Sequence, residues 1–383
     1  MACVLQIAES LIPHPVPGLR LGLANVITLI TLVTMGFSSA MEITVLRTIL
    51  GSFLTGTFMG PGFVLSFAGG VASTCAMGLL YYVPGLGMSI VGISIAGALV
   101  HNFVQICAAY LILVRHPGVF VFVPWLCIGA VIMGWLTGVV AGNVCYALQE
   151  GSISPDLRQD PVASQSSFQG RGCYVPGGSF VHGLSAGMKI ISLIIISLAV
   201  LLLSDMVAYA WILLLMLGIA AAAQTPLSFL VLTVRRYIFL AVMAGFLPVF
   251  VNATGHDIFH IGFLNFTREG LVAGGVLFSR IMLLALFSAL LARTTAPWDL
   301  GKALGEGLKP FKAVGISGER VASVFSVSWM AIPVFWDISR NIIRSLGWGR
   351  FKDIRAIPEV LSEFMTKFYM EASAVVIPGK EAP

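Results

Sequence analysis

Six polar residues set in apolar sequence carry whatever chemistry the first 147 residues can do: Asn25, Glu42, Arg47, His101, Asn102 and Gln105. Polar and charged side chains are expensive inside a bilayer, so each is a candidate substrate contact. His101 and Gln105 are four residues apart and share one helix face. That face can offer an imidazole and an amide to a ligand in a helix bundle, or bridge two helices through hydrogen bonds. Arg47 can meet an anionic ligand group. Glu42 lies five residues from Arg47 and projects in a different direction, which places it to pair across helices.

Catalysis by this chain is not expected. The sequence has no HExxH, no GxSxG and no paired metal carboxylates. It also lacks a GxxxxGK[ST] phosphate loop, so any ATP hydrolysis must come from another chain. No metal, cofactor or nucleic acid is expected. The six cysteines, Cys3, Cys75, Cys107, Cys127, Cys145 and Cys173, form no CxxC pair and read as small core residues.

The elements that must hold these residues are membrane helices. The 383 residues are 58% hydrophobic and 10% charged, against about 25% charged in an ordinary soluble domain. The solvent that suits such a chain is a lipid bilayer, in which each helix satisfies its own backbone. Long uninterrupted apolar runs exclude the short alternating strands of a barrel. The fold class is therefore an all-α polytopic membrane protein. Spans are expected near 20–36, 38–57, 61–83, 87–114, 118–147, 189–204, 206–223, 229–253 and 270–293, with 20–36 and 189–204 shorter than the roughly 20 residues a span needs. Residues 1–12 are apolar but too short to cross, and without a basic leader they do not read as a signal peptide.

A polar stretch at 148–188 divides the run of helices. Four regions follow: a first membrane module at 1–147, a linker at 148–188, membrane helices at 189–293 and a cytoplasmic region at 294–383. Charge supports the division. Residues 1–150 balance Arg20, Arg47 and Arg115 against Glu9, Glu42 and Glu150, so the net charge of +5 arises from the remainder. Its cations gather after residue 293, in Arg293, Lys302, Lys309, Lys312, Arg320, Arg340, Arg344, Arg350, Lys352 and Arg355. The positive-inside rule places that region, and the linker, in the cytoplasm of a cell (inner) membrane.

The run ESLIPHPVPGLRLGLANVITLITL, then LRTILGSFLTGTF and GISIAGALVHNFVQICAAYLIL, resembles the Gx transporter family, often labelled heptaprenyl diphosphate synthase component I. Such proteins are similar to the substrate-binding (S) components of energy-coupling-factor (ECF) transporters. The resemblance covers most of residues 1–147 and implies an S-type bundle whose first helix is shortened here. The second module resembles the CbiQ-type transmembrane (T) component of the same transporters. The resemblance runs from HGLSAGMKIISLIIISLAVLL through SRIMLLALFSALLARTTAPWDLGKALGEGLKPFKAVGI to VFSVSWMAIPVFWDISRNIIRSLGWGR. Thr295, Pro297 and Asp299 suit a helix start there, and Leu300, Leu304 and Leu308 then line one face.

What the resemblance implies is an S–T fusion. A small molecule binds the first module, which topples against the T helices, while ECF-type ATPase subunits in other chains drive the cycle through cytoplasmic coupling helices. The family's coupling helices end in Ala-Arg-Gly motifs. Here the first position reads Trp348-Gly349-Arg350 and the second Met370-Glu371-Ala372-Ser373. Arg340, Arg344, Arg350 and Arg355 are the candidate coupling residues. The family's entry motif keeps only its lysine, Lys189. These departures leave a second reading: a transporter uncoupled from ATPases, or an accessory membrane subunit of isoprenoid or quinone metabolism. Against prenyl diphosphate catalysis, the first module contains no Asp to hold magnesium.

Overall fold

The structure is a computed structural model. It describes Ala2, Leu5 and residues 22–83, 87–114, 117–149, 174–251, 257–261, 264–307, 322–323, 325, 334–335, 337–345 and 356–376. The first module contains α1 (Leu23–Met35), α2 (Phe37–Thr55), α3 (Pro61–Tyr82), α4 (Ile90–Ala108) and α5 (Val123–Gln149). A π-helical stretch, Ala109–Val114, prolongs α4, and a 3-10 turn, Pro117–Phe122, leads into α5. The second module contains α6 (Ala186–Leu202), α7 (Met206–Ala222), α8 (Leu227–Val251), α9 (Arg268–Thr294) and α10 (Pro297–Gly307). After α10, residues 337–345 are helical, and α11 (Ile357–Val376) ends the described chain.

Among the described residues, five helical stretches are long and apolar enough to cross a membrane, and three shorter apolar helices accompany them. The chain is a multi-pass membrane protein, helical as expected. One element departs from the all-α reading: β1 (Asp257–Ile261) pairs antiparallel with β2 (Leu264–Thr267) in the connection between α8 and α9. Phe259, His260 and Ile261 pair with Phe266, Asn265 and Leu264, a run too short to register against the long helical runs beside it.

Helix starts follow ordinary capping chemistry. Ser89, Ser185, Asp205 and Thr267 each accept a hydrogen bond from a backbone N–H of the first turn of α4, α6, α7 and α9, which satisfies donors that have no helical partner. Pro61 opens α3, where its missing N–H is no loss.

Packing in the first module depends on close backbone approach. A Cβ placed at Gly134 would lie 2.7 Å from the Ile95 Cα, and one at Gly138 would lie 2.7 Å from the Val91 Cα. These glycines on α5 let it press against α4, which matters in lipid because packing rather than water exclusion holds membrane helices together.

The second module is organised around α9, whose most apolar stretch is 83% buried. It packs against α6, α7 and α8 and also touches α3 and the π-helical stretch of the first module. Part of the expected linker belongs here as well. The helix α6 begins at Ala186, inside that linker, and one helical turn, Phe180–Gly183, precedes it. The Val175 N–H donates to the Arg293 carbonyl at 3.0 Å, and Tyr174 meets Trp298 edge-on at 6.0 Å. Residues 174–185 are thus seated on the second module, and residues 150–173 lie outside the described chain.

Candidate functional site

The first module brings its polar residues together in small groups. Arg47, on α2, is buried and donates through Nη2 to the Asn25 side-chain oxygen on α1 at 2.6 Å. Buried hydroxyls extend this polar layer: Thr44 on α2 lies 2.9 Å from Thr74 on α3 and 3.5 Å from Thr28 on α1. Glu42 sits half-buried on α2, two residues before Thr44 and so on a different face. The threonines escaped the sequence reading because hydroxyls are common in membrane helices, where they usually bond their own i−4 carbonyl, as Thr74 does to Gly70.

His101 and Gln105 share a face of α4, as their spacing requires, and that face lies on α3. A Cβ at Gly69 would come within 3.0 Å of the His101 ring and 2.9 Å of the Gln105 Cγ. The glycine is what allows both side chains to fit. Asn102 points elsewhere and donates to the Leu126 carbonyl on α5 at 2.9 Å. Five of the six candidates thus divide into two groups, Asn25–Arg47 and His101–Gln105, with Asn102 fastening α4 to α5, and Glu42 lies on α2 with Arg47.

In the second module the sequence reading passed over Arg280. It is buried in the middle of α9. Its Nε donates to the Tyr209 hydroxyl at 2.9 Å, Nη1 to the Leu113 carbonyl at 3.1 Å, and Nη2 to the Leu203 carbonyl at 2.8 Å and the Ser204 hydroxyl at 3.4 Å. Leu203 is the C-cap of α6. Leu113 lies in the π-helical end of α4. Two helix C-termini, one from each module, point their negative ends at this guanidinium. The signal was an arginine within an apolar run, the criterion that had found Arg47.

Lys189, the retained lysine of the entry motif, closes the C-terminal end of α9. Its ammonium donates to the His182 carbonyl at 3.2 Å and the Thr294 carbonyl at 2.9 Å. A cavity of about 380 Å³ lies beside it, lined chiefly by apolar side chains of α6, α7 and α9.

The amphipathic helix α11 packs against α5. Val360, Phe364, Met365 and Phe368 form its buried face, and Phe335 meets Phe368 at 6.1 Å. Asn143 of α5 donates to the Ser362 hydroxyl at 3.1 Å. On α10, Leu300 is buried and Gly301 faces the Phe325 ring, where a Cβ would come within 2.8 Å. Arg340 and Arg344 are exposed on the 337–345 helix. Arg350 and Arg355, and the LKPFKAVGI stretch, lie outside the described residues.

Two families match separate stretches of the chain. Residues 1–144 match the family described as heptaprenyl diphosphate synthase component I. Residues 177–372 match the family described as cobalt transport protein, CbiQ. The chain is similar to the energy-coupling factor transporter transmembrane protein EcfT of Streptococcus thermophilus, at 28% identity over 214 residues, covering 54% of this chain and 81% of that protein. It is 29% identical to EcfT of Bacillus subtilis over 174 residues, covering 45% of this chain and 66% of that protein. EcfT of Listeria innocua is 27% identical over 174 residues, with the same two shares. Through residues 177–372, about half its length, the chain belongs to the CbiQ cobalt transport protein family, as a transporter membrane component with a component I-type module fused ahead of it.

Proposed function

We propose that this chain is the fused membrane part of an ECF-type ABC importer. The first module binds a small molecule, and the second is the scaffold through which ATPase subunits in other chains drive transport. The observation that carries this reading is the seat of α11 on α5. A helix at the cytoplasmic end of the scaffold family's sequence packs on the module that would bind substrate. A push on α11 would then reach the first module directly.

We assign the working parts to named residues. Asn25 and Arg47 offer an amide and a guanidinium to a polar or anionic substrate group, with Glu42 on the same helix. His101 and Gln105 offer a second pair, and Asn102 holds their helix in place. The first module tilts against α9 to release its cargo inward, and the linker keeps it at high local concentration throughout. Arg340, Arg344, Arg350 and Arg355 are the contacts for ATPase carboxylates, with the linker and the basic C-terminal region in the cytoplasm. An arginine fork suits such a joint because it binds a carboxylate in two places at once.

The match of residues 1–144 to heptaprenyl diphosphate synthase component I favours a second reading, an accessory membrane subunit serving isoprenoid metabolism. One purification separates the two. The native chain is extracted in detergent and its bound proteins are identified. ATPase subunits that co-purify, and that are lost from Arg344→Glu/Arg350→Glu, support the importer. A complex unchanged by that double substitution refutes the coupling assignment. A prenyl-transferring enzyme in place of ATPases supports the second reading.

A further inference from the structure

Among the described residues, three hydrogen bonds join α8 and α9 to the first module and share one direction. Arg236 Nη1 donates to the Thr55 carbonyl at 3.2 Å, Arg280 Nη1 to the Leu113 carbonyl at 3.1 Å, and Ser288 Oγ to the Gly56 carbonyl at 3.1 Å. In each, the second module supplies a side-chain donor and the first supplies a backbone oxygen. The one cross-module side-chain pair described, Asn143 with Ser362, belongs to α11.

The three oxygens have something else in common. Thr55 is the last residue of α2, and Gly56 is its C-cap, at φ 68°. Leu113 lies one residue from the end of the π-helical stretch that prolongs α4. Carbonyls at helix C-termini have no partner within their own helix and carry the negative end of the helix dipole. Gly56, Leu113, Arg280 and Ser288 are buried, so water does not readily replace these bonds.

We infer that α8 and α9 dock the first module by capping two of its helix C-termini, those of α2 and of the π-extended α4, with Arg280 as the positioning residue. Recognition is by backbone, so the side chains at those helix ends need not be read. Arg280 also suits a joint that opens. Three of its four partners, Tyr209, Leu203 and Ser204, belong to its own module. The first module can leave without stranding a bare charge, and the bond to Leu113 re-forms when it returns. This docking stands or falls apart from what the first module binds.

Disulfide trapping in the full chain tests it. With the six native cysteines replaced, Gly60→Cys is combined with Ser288→Cys, which gives up the Ser288–Gly56 bond in every arm and leaves the two arginines to be compared on one background. A Cβ at Gly60 would lie 3.9 Å from the Ser288 Cβ, within the roughly 3.5–4.5 Å that a disulfide spans. The same Cβ meets the Thr57 carbonyl at 2.9 Å, so the loop must shift slightly. A protease site placed within 150–173 lets the bond be read as fragments that stay joined. The pair should cross-link to near completion. Arg280→Met should slow it about tenfold and Arg236→Met about threefold, and Arg280→Lys should recover part of the loss. Thr55→Ala should change the rate little, because Arg236 uses only the Thr55 carbonyl and the hydroxyl bonds within the first module, to Gly51, Ser52 and Thr57. Arg293→Met should also be neutral, since Arg293 stacks on Phe229 within the second module at 4.6 Å. Unchanged rates in both Arg280→Met and Arg236→Met overturn the proposal, as does equal slowing by Arg293→Met. If Arg280→Met does not purify as a monodisperse protein, the exposed Arg236 decides alone, and an unchanged rate there is refutation.

Discussion

Arg47 and Arg280 are both arginines buried in apolar helices, 7% and 3% exposed, and their surroundings differ in kind. Arg280 is held by two backbone carbonyls and two hydroxyls drawn from three other segments. The carbonyls are helix ends that cannot turn away. Arg47 donates to the side chain of Asn25, which has rotamers of its own. A charge balanced by fixed backbone dipoles is a structural joint. A charge balanced by a side chain can exchange that partner for a ligand group. We propose that this contrast divides binding in the first module from scaffolding in the second, a division that substitution can break.

The largest effect should come from Arg280→Met. It leaves the Leu113 and Leu203 carbonyls without this donor inside the protein, at about 1–3 kcal/mol for each buried group left unmet. Thermal unfolding in detergent should show a marked loss of stability. Arg47→Met should unfold close to the wild type yet lose uptake of the substrate in vesicles. If Arg47→Met proves the less stable of the two, the division of roles is wrong.

How far these two residues could be read in sequence shows where sequence reading stops. Long apolar runs gave most helices to within a few residues, because a span must bury about 20 residues in lipid whatever surrounds it. Arg47 stood out for the same reason. Arg280 satisfied the same criterion, but its meaning depends on Leu113, 167 residues away, and on a helix end that no local pattern marks. The His101–Gln105 face was legible from its spacing, but its seat on Gly69 of a different helix was not. The β1–β2 hairpin was missed because four or five residues of alternating pattern cannot compete with neighbouring helices of 25 and 27.

A middle-sized effect should separate the arginines by geometry. Arg280 uses Nε, Nη1 and Nη2 toward different partners. A lysine ammonium is a single point and cannot reach helix ends on opposite sides of the fork. Arg280→Lys should therefore recover only part of the stability lost in Arg280→Met. Arg47→Lys keeps a cation beside the Asn25 side chain, so it should lose less stability than Arg280→Lys, with substrate affinity reduced rather than abolished. Equal unfolding temperatures for the two lysine variants would erase the distinction.

The smallest effect concerns the partners. Tyr209 accepts from Arg280 Nε and lies 2.9 Å from the Val200 carbonyl and 2.8 Å from the Leu203 carbonyl. Its single hydroxyl proton is shared between those two oxygens while its lone pair meets the guanidinium. Tyr209→Phe keeps the ring and deletes only this bridge. Asn25→Ala deletes the partner of Arg47. Hydrogen bonds between membrane helices average about 0.6 kcal/mol and those to a cation about 1.5–3 kcal/mol; the Tyr209 bridge is buried, whereas Asn25 is only half-buried and water can stand in for its amide. Tyr209→Phe should thus lower stability measurably and leave substrate affinity unchanged. Asn25→Ala should do the reverse, because it frees the Arg47 fork for water and alters the group a ligand would meet. Affinity measured by calorimetry and stability measured by unfolding should move in opposite variants. If both move together in either one, the two arginines do not divide structure from binding.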